Sequence, residues 1–565
     1  MRQTQAMKPH VTRTFLLTSA TLLAACSAPS PAPDAANSAS GLCFTDGTIL
    51  TATVPATADM LISTDDRITH IGAMTDCPTG HRNIDLAGAT LMPGLTDAHA
   101  HLIGIGLREM TLNLEGTESI ADLQSRVRKA ASNLEPDATL YGRGWIETFW
   151  PEDRFPTAAD IDAVVSDRPV LLERSDGHAL VANTAALRLA DITGNTPAPD
   201  GGAINLDANG TPTGMLIDNA IGLVSDLMPG LEPDTKREAY RRGAELYAAR
   251  GWTNIHNMSQ DPADVAVLEE MDAAGDLPIR VYNSLDTRDL SRVRDASPDD
   301  KVVTRAIKLY GDGALGSRGA ALLKPYSDDP GNDGLMILSD DVVAVLEAAA
   351  AQGVQVNTHA IGDRANRSVL HWYEQTMPSG ARWRVEHTQI VDPADIPRYA
   401  ALGVIPSMQP SHAIGDLHFA PDRLGPDRLV GGYAWRSLID SGAIIAGGSD
   451  APVEVGDPRI EFHAATQRTD LKGFSNQDWS PEERVSESEA LKMFTSWPAY
   501  AAFQEDELGT LETGKLADFS IFTGSLTEGN AMSAEPVMTV VDGEVVWEQK
   551  FFFPLMGNRA AGAGG

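Results

Sequence analysis

The chain has 565 residues, too many for one ordinary domain, and its 42% hydrophobic content can furnish at least one large core. It carries 78 acidic against 44 basic residues, a formal charge of −34. A surface that acidic repels nucleic acid and anionic lipid, so neither is an expected partner, while the charge says little about substrate.

Lys8 and Arg13 precede an apolar run over residues 15–25 that ends in L-A-A-C. The run is about half the ~20 residues needed to span a bilayer, so it reads as a signal segment. Its small-small-Cys ending resembles the lipobox of bacterial lipoproteins, which implies cleavage after residue 25 and a lipid-modified Cys26. An ordinary signal peptide with an incidental cysteine is the alternative. Residues 26–41 are mostly Ala, Ser and Pro, a flexible tether with little to fold around. Ser27 is compatible with transfer to the outer membrane. The expectation is an exported lipoprotein on the periplasmic face of the outer membrane, or in the periplasm, held by a lipid anchor at Cys26. No other segment is long and apolar enough to span a membrane. Only Cys43 and Cys77 remain, and export places them in an oxidising compartment, which predicts a disulfide. Two buried free thiols are the alternative.

Residues 42–92 read as short strands and turns, and residues 506–552 have the same texture, with Asp542-Gly543 as a hairpin signal. Two such segments flanking a long middle predict one small β-sandwich assembled from both chain ends, with residues 553–565 as a tail. In the middle, residues 93–505, apolar β-branched runs occur near 90–99, 252–258, 279–285, 304–310, 353–359, 383–388, 402–408 and 443–449. Helical stretches such as 340–352 and 395–402 separate most of them. Strands alternating with helices predict a parallel sheet, and eight such units predict an α/β fold of the (β/α)8 TIM-barrel type. Residues 102–251, between the first and second strands, are far too long for a plain loop and predict an inserted cap subdomain over the active-site face.

Five motifs fall at ends of these strands: D-A-H-A-H (Asp97, His99, His101), A-I-K-L-Y (Lys308), V-N-T-H-A (His359), V-E-H-T (His387) and G-G-S-D-A-P (Asp450). His99 and His101 sit two apart on a strand, so both side chains point one way and can grip one metal. Asp97 is placed to orient an imidazole. Lys308 lies in an apolar run, where burial lowers an amine's pKa. A neutral amine can add carbon dioxide, and the resulting carbamate can bridge two cations. The alternative is an ordinary lysine, neutral or paired with a carboxylate such as Asp312. Asp450 is suited to bind metal and to handle the proton of an attacking water. His256 ends the second strand with no ligand role assigned, and Asp363 reads equally as a helix cap.

Together the segments P-G-L-T-D-A-H-A-H, K-L-Y-G-D-G-A-L-G-S-R-G-A-A-L, N-T-H-A-I-G-D-R-A, V-E-H-T-Q-I, G-G-S-D-A-P-V and L-E-T-G-K-L-A-D-F resemble the amidohydrolase superfamily. Within it they are similar to the YtcJ-like, amidohydrolase-3 branch that includes N-substituted formamide deformylases. The resemblance spans roughly residues 42–550. It implies a binuclear site: His99, His101 and Asp450 on one cation, His359 and His387 on the other, carboxylated Lys308 between them. Zinc suits this nitrogen-rich set, with iron or manganese as alternatives. The implied reaction is hydrolysis of an amide-like C–N bond in a small molecule, with Asp450 and Lys308 as catalytic residues. His178, Trp145 and Arg318 are expected to contact substrate. The alternatives are an esterase, lactonase or deaminase on the same site, and a ligand-binding lipoprotein without turnover. A homodimer is compatible with the sequence.

Overall fold

The computed structural model describes residues 41–550, apart from 136–137, 148–149, 176, 200, 229, 295–296, 476–478 and 528. The signal segment, Cys26 and the C-terminal tail lie outside the described residues. Eight parallel strands form the central sheet in sequence order. They are β1 (Leu95–Ala100), β2 (Trp252–Gln260), β3 (Arg280–Leu285), β4 (Val302–Tyr310), β5 (Gln355–Ala360), β6 (Arg384–His387), β7 (Ile405–Met408) and β8 (Ala446–Gly447). Most are buried along their whole length, as a barrel wall covered on both faces requires. Helices such as Val342–Gln352 and Ile396–Leu402 fall where the sequence predicts them, and their apolar faces pack on the shared core.

The seam between β8 and β1 closes without a full ladder. The Asp450 N–H donates to the His99 carbonyl at 2.6 Å, and the His101 N–H to the Ala451 carbonyl at 2.8 Å. Gly448 permits this approach, because a Cβ there would lie 2.5 Å from the His99 nitrogen. The closing strand is therefore two residues long instead of the seven predicted.

The first predicted strand, 90–99, proves to be two. Thr90–Pro93 joins a flanking sheet, pairing antiparallel with Phe519–Phe522, and the chain enters the barrel only at Leu95. Gly94 makes the change of sheet, donating to the Asp518 carbonyl at 2.9 Å, where a Cβ would strike Thr253. Both chain ends build the flanking β structure. One four-stranded sheet comes from the first end, and the six-stranded sheet mixes Thr90–Pro93 and Thr48–Leu50 with Phe519–Phe522 and Pro536–Val541. Leu42, Phe44, Leu61, Leu91, Phe519 and Met538 share the core between them. A disulfide joins Cys43 to Cys77 beside Met60 and Ile62.

The long stretch after β1 differs from the expectation at its edges. Its terminal helices, α1 (Leu102–Met110) and α2 (Pro233–Arg250), pack on the barrel core through Leu102, Ile105, Tyr240, Ala244 and Tyr247. The excursion proper is the part between them. It holds a six-stranded mixed sheet with its own core of Leu114, Trp145, Val170, Leu172, Val181 and Met215. Among the described residues no helix is long and apolar enough to cross a membrane.

Candidate metal centre

A parallel strand delivers its last side chains to one rim of the barrel, so residues near eight strand ends meet there regardless of sequence distance. His99 lies in the last turn of pleat of β1, with His101 just beyond; Lys308 lies near the end of β4 and His359 near the end of β5. His387 closes β6, and Asp450 follows β8. His387 and Asp450 hold left-handed backbone conformations, φ 76° and 62°, that aim their side chains inward at a conformational cost.

The imidazoles cluster: ring centres are 4.7 Å apart for His99 and His387, 4.5 Å for His359 and His387, and 5.6 Å for His99 and His101. Asp450 Oδ1 lies 3.0 Å from His101 Nε2 and 3.5 Å from His99 Nε2. His99, His101 and Asp450 are near enough for one cation. The donor set fits such a guest. Buried His99 Nε2 and His359 Nε2 have no hydrogen-bond partner among the described residues, an arrangement that is costly unless something occupies the space they face.

The electrostatics suit ligands. Burial, and then the Lys308 charge, hold His99 well below the usual imidazole range; burial and His387 do the same for His359, and burial and His99 for His387. Neutral imidazoles offer lone pairs. Burial pushes Asp450 up, but His99, the hydrogen bond from His101 and His387 outweigh it and hold the carboxyl well below its ordinary value. Lys308 is buried, and burial lowers its pKa against the pull of Glu386 and Asp450. Among the described residues its amine has neither a hydrogen bond nor an ion pair, only the Tyr310 ring at 5.2 Å.

The profile described as "Amidohydrolase family" matches residues 82–547, most of the chain. The chain belongs to the amidohydrolase family. The Bacillus subtilis (strain 168) protein described as "Putative amidohydrolase YtcJ" is 33% identical over 82% of this chain and 90% of its own. Protein LONG AFTER FAR-RED 3 of Arabidopsis thaliana is 32% identical over 90% and 91%. The N-substituted formamide deformylase of Arthrobacter pascens is 26% identical over 82% and 90%. An uncharacterised metal-dependent hydrolase from Pyrococcus horikoshii OT3 superposes with a TM-score of 0.72 at 25% identity, covering 87% of this chain and 99% of that one. Family and fold together support a metal-dependent hydrolase.

Several residues of this amidohydrolase sit differently from the sequence expectation. Trp145 does not reach the centre: its ring is fully buried in the inserted segment's own core against Trp150, and its indole N–H donates to the Leu172 carbonyl. Among the described residues Asp97 has no hydrogen bond to an imidazole ring. It accepts from Ser449 Oγ at 2.6 Å, the Ser449 N–H at 2.9 Å and Tyr247 at 2.9 Å, so it ties β1 to the loop carrying Asp450. Burial pushes its carboxyl up to about 6 despite those bonds. Asp312 is no partner of Lys308; it accepts the backbone N–H groups of Ala321, Ile361 and Gly362 and faces His359 Nε2 at 3.4 Å. Asp363 lies in the first turn of its helix and accepts from the Leu323 N–H. His178 and Arg318 line an open cavity of about 630 Å³ with Arg174, Phe155, Phe419 and Arg423, between the inserted sheet and the loops after β4 and β7. His178 also holds Asp218 at 2.7 Å, and Arg318 holds Asp328 at 2.9 Å.

Sequence reasoning missed the carboxylate that orients His99. Glu386, one residue before His387, accepts from His99 Nδ1 at 2.6 Å, and Arg384 pairs with it at 2.8 Å. Arg384 also donates to Ser407 Oγ at 2.7 Å and to His256 Nδ1 at 2.9 Å, so His256 is part of this buried network. Alternation along a strand places His387 and Glu386 on opposite sides, which is why V-E-H alone did not suggest that Glu386 reaches across to another strand's histidine. Glu386→Gln keeps the shape and removes the charge. Its expected effect is a 10- to 100-fold weaker metal affinity by equilibrium dialysis, the usual cost of losing a carboxylate behind a metal-binding histidine, roughly.

His412 was missed too; it approaches Asp450 Oδ2 at 3.6 Å and half-buried Glu454 at 3.9 Å. Burial, followed by the Asp416 and Asp450 carboxylates, pushes Glu454 up to about 8. A carboxyl whose folded pKa is raised contributes stability below its unfolded value and loses it as pH rises through the folded one. Metal-free Glu454→Gln is therefore expected to match wild type in melting temperature near pH 5 and to exceed it increasingly as pH rises through about 8. A gap that stays constant with pH would contradict this.

Proposed function

We propose that this chain hydrolyses an amide-like C–N bond of a small molecule, using two divalent cations, most suitably zinc, held by His99, His101, His359, His387 and Asp450. Carboxylated Lys308 would bridge them: the neutral amine bonds to the carbon of CO2 and releases one proton, leaving an anionic carbamate. The observation that carries the reading is a buried lysine amine with no hydrogen bond or ion pair among the described residues, near enough to His99, His359, His387 and Asp450 to interact with them electrostatically. Cations bound there would supply Lewis acidity, polarising a carbonyl and making water acidic near pH 7, about. Asp450 accepts a proton from the attacking water and returns it to the departing nitrogen, acting first as base and then as acid. His178 and Arg318 hold the substrate in the open cavity. The similarity to an N-substituted formamide deformylase favours small N-acyl or N-formyl compounds over esters. We place the protein at the periplasmic face of the outer membrane, anchored at Cys26.

The test is a panel of formamides, N-acyl amines, esters, lactones and amino-heterocycles given to the zinc- and manganese-loaded protein lacking residues 1–26. The expected result is highest kcat/KM on amides, abolished by chelation and restored by metal. Preference for esters or release of ammonia would replace the bond assignment. Binding without any turnover would replace the enzyme with a binding protein.

A further inference from the structure

At His99, His101 and His387 the Nδ1 nitrogen faces a hydrogen-bond acceptor, which places a proton on it. His99 Nδ1 donates to Glu386, His101 Nδ1 to the Met258 carbonyl at 3.0 Å, and His387 Nδ1 to the Gln409 amide oxygen at 2.9 Å. His99 and His387 therefore present an Nε2 lone pair, as a metal ligand must, while His101 Nε2 lies 3.0 Å from Asp450 Oδ1. His412 is the reverse. The side-chain amide nitrogen of Gln389, which can only donate, lies 3.1 Å from His412 Nδ1. Nδ1 then accepts, and the ring's proton sits on Nε2.

That Nε2 is buried and has no hydrogen-bond partner among the described residues; the side chain is 10% exposed. It faces Asp450 and Glu454, and the ring lies nearly parallel to His387 at 6.0 Å. By distance alone His387, His412 and Asp450 could share a cation. A ring that carries its proton on Nε2 cannot coordinate through that atom. A buried N–H left unpaired is unfavourable until a ligand accepts from it. His412 also belongs to α3 (Pro410–Asp416), and the chain just beyond it supplies Phe419 and Arg423 to the open cavity.

We propose that His412 is a catalytic hydrogen-bond donor whose Nε2–H meets the substrate carbonyl oxygen, and that Gln389 is the positioning residue that fixes its tautomer. The proposal rests on the hydrolase reading. A fixed donor aimed where negative charge grows on that oxygen favours the transition state over the bound substrate. No bond to His412 forms or breaks; the proton stays on the ring.

The experiment combines zinc content, nitrogen-15 histidine spectra and turnover of para-nitroformanilide for zinc-loaded wild type, His412→Ala, His412→Gln and Gln389→Glu. The His412 resonance, identified by its loss in the variants, is expected to show an Nε2-protonated ring that zinc does not directly coordinate. Zinc content is expected to be unchanged in His412→Ala and His412→Gln. Their kcat is expected to fall on the order of 10²-fold with a small change in KM, and glutamine, which keeps a donor, to fall less than alanine. Gln389→Glu, which accepts from Nδ1, is expected to reverse the tautomer and lower kcat with His412 still present. A lone pair on Nε2, or zinc lost with His412, would overturn the proposal in favour of a metal ligand. Unchanged kcat in a wild-type background that turns over the probe would also overturn it. A wild type inactive on every substrate of the panel would instead remove the hydrolase reading, and the catalytic role with it, even if the tautomer stood.

Discussion

Asp450→Asn is expected to lower kcat/KM by at least about 10³-fold, within the range that a positioned acid–base group supplies. The substitution preserves size and removes the charge that sits 3.0 Å from His101, 3.5 Å from His99 and 3.6 Å from His412. Asparagine can still offer an oxygen to a cation but cannot carry a proton between water and a departing amine. The surrounding histidines hold the native carboxyl well below its ordinary value, so it stays ionised at neutral pH. Steady-state kinetics on the best amide substrate, with metal content measured alongside, checks the result. A variant within tenfold of wild type at full metal loading would remove Asp450 from proton transfer.

Lys308→Met is expected to bring opposite changes in function and in metal-free stability. Methionine keeps an unbranched apolar stem and loses the amine. If the carbamate bridges two cations, metal per chain falls to about half or less and turnover is lost. In the metal-free protein the sign reverses. Burial lowers the lysine pKa, so below the unfolded value the unfolded chain binds this proton more readily than the folded chain does. That mismatch costs stability as pH falls from the unfolded value, and methionine removes it. Metal-free Lys308→Met is thus expected to melt above metal-free wild type near pH 7, with the order inverting once zinc and bicarbonate are added. Calorimetry in the two conditions reads both halves. Equal melting in all conditions would mean an ordinary buried lysine.

Much of the architecture was legible because a barrel writes itself as repeated strands and helices, and because the candidate ligands fall near strand ends. The motifs at His99, His359, His387 and Asp450 could be read locally, since each strand points its terminal residues at the same rim. What could not be read depended on contacts between segments. Glu386 reaches His99 across nearly three hundred positions, and nothing in V-E-H distinguishes it from a wall residue. His412 lies in a short helix after β7, where no strand ending announces it. Trp145 shows the converse error: expected to contact substrate, it lies in the core of the inserted sheet. The split of the first strand at Gly94 depended on Asp518 and Thr253, from distant parts of the chain.

Metal content of the purified wild-type chain, by elemental analysis against protein concentration, with activity followed through chelation and return of metal, tests the bridged metal pair most directly. The expected result is near two divalent cations per chain, loss of turnover on their removal, and recovery with zinc and bicarbonate. A chain that holds one cation and works without bicarbonate would contradict the bridged pair, and full activity without any metal would contradict the hydrolase built on these residues.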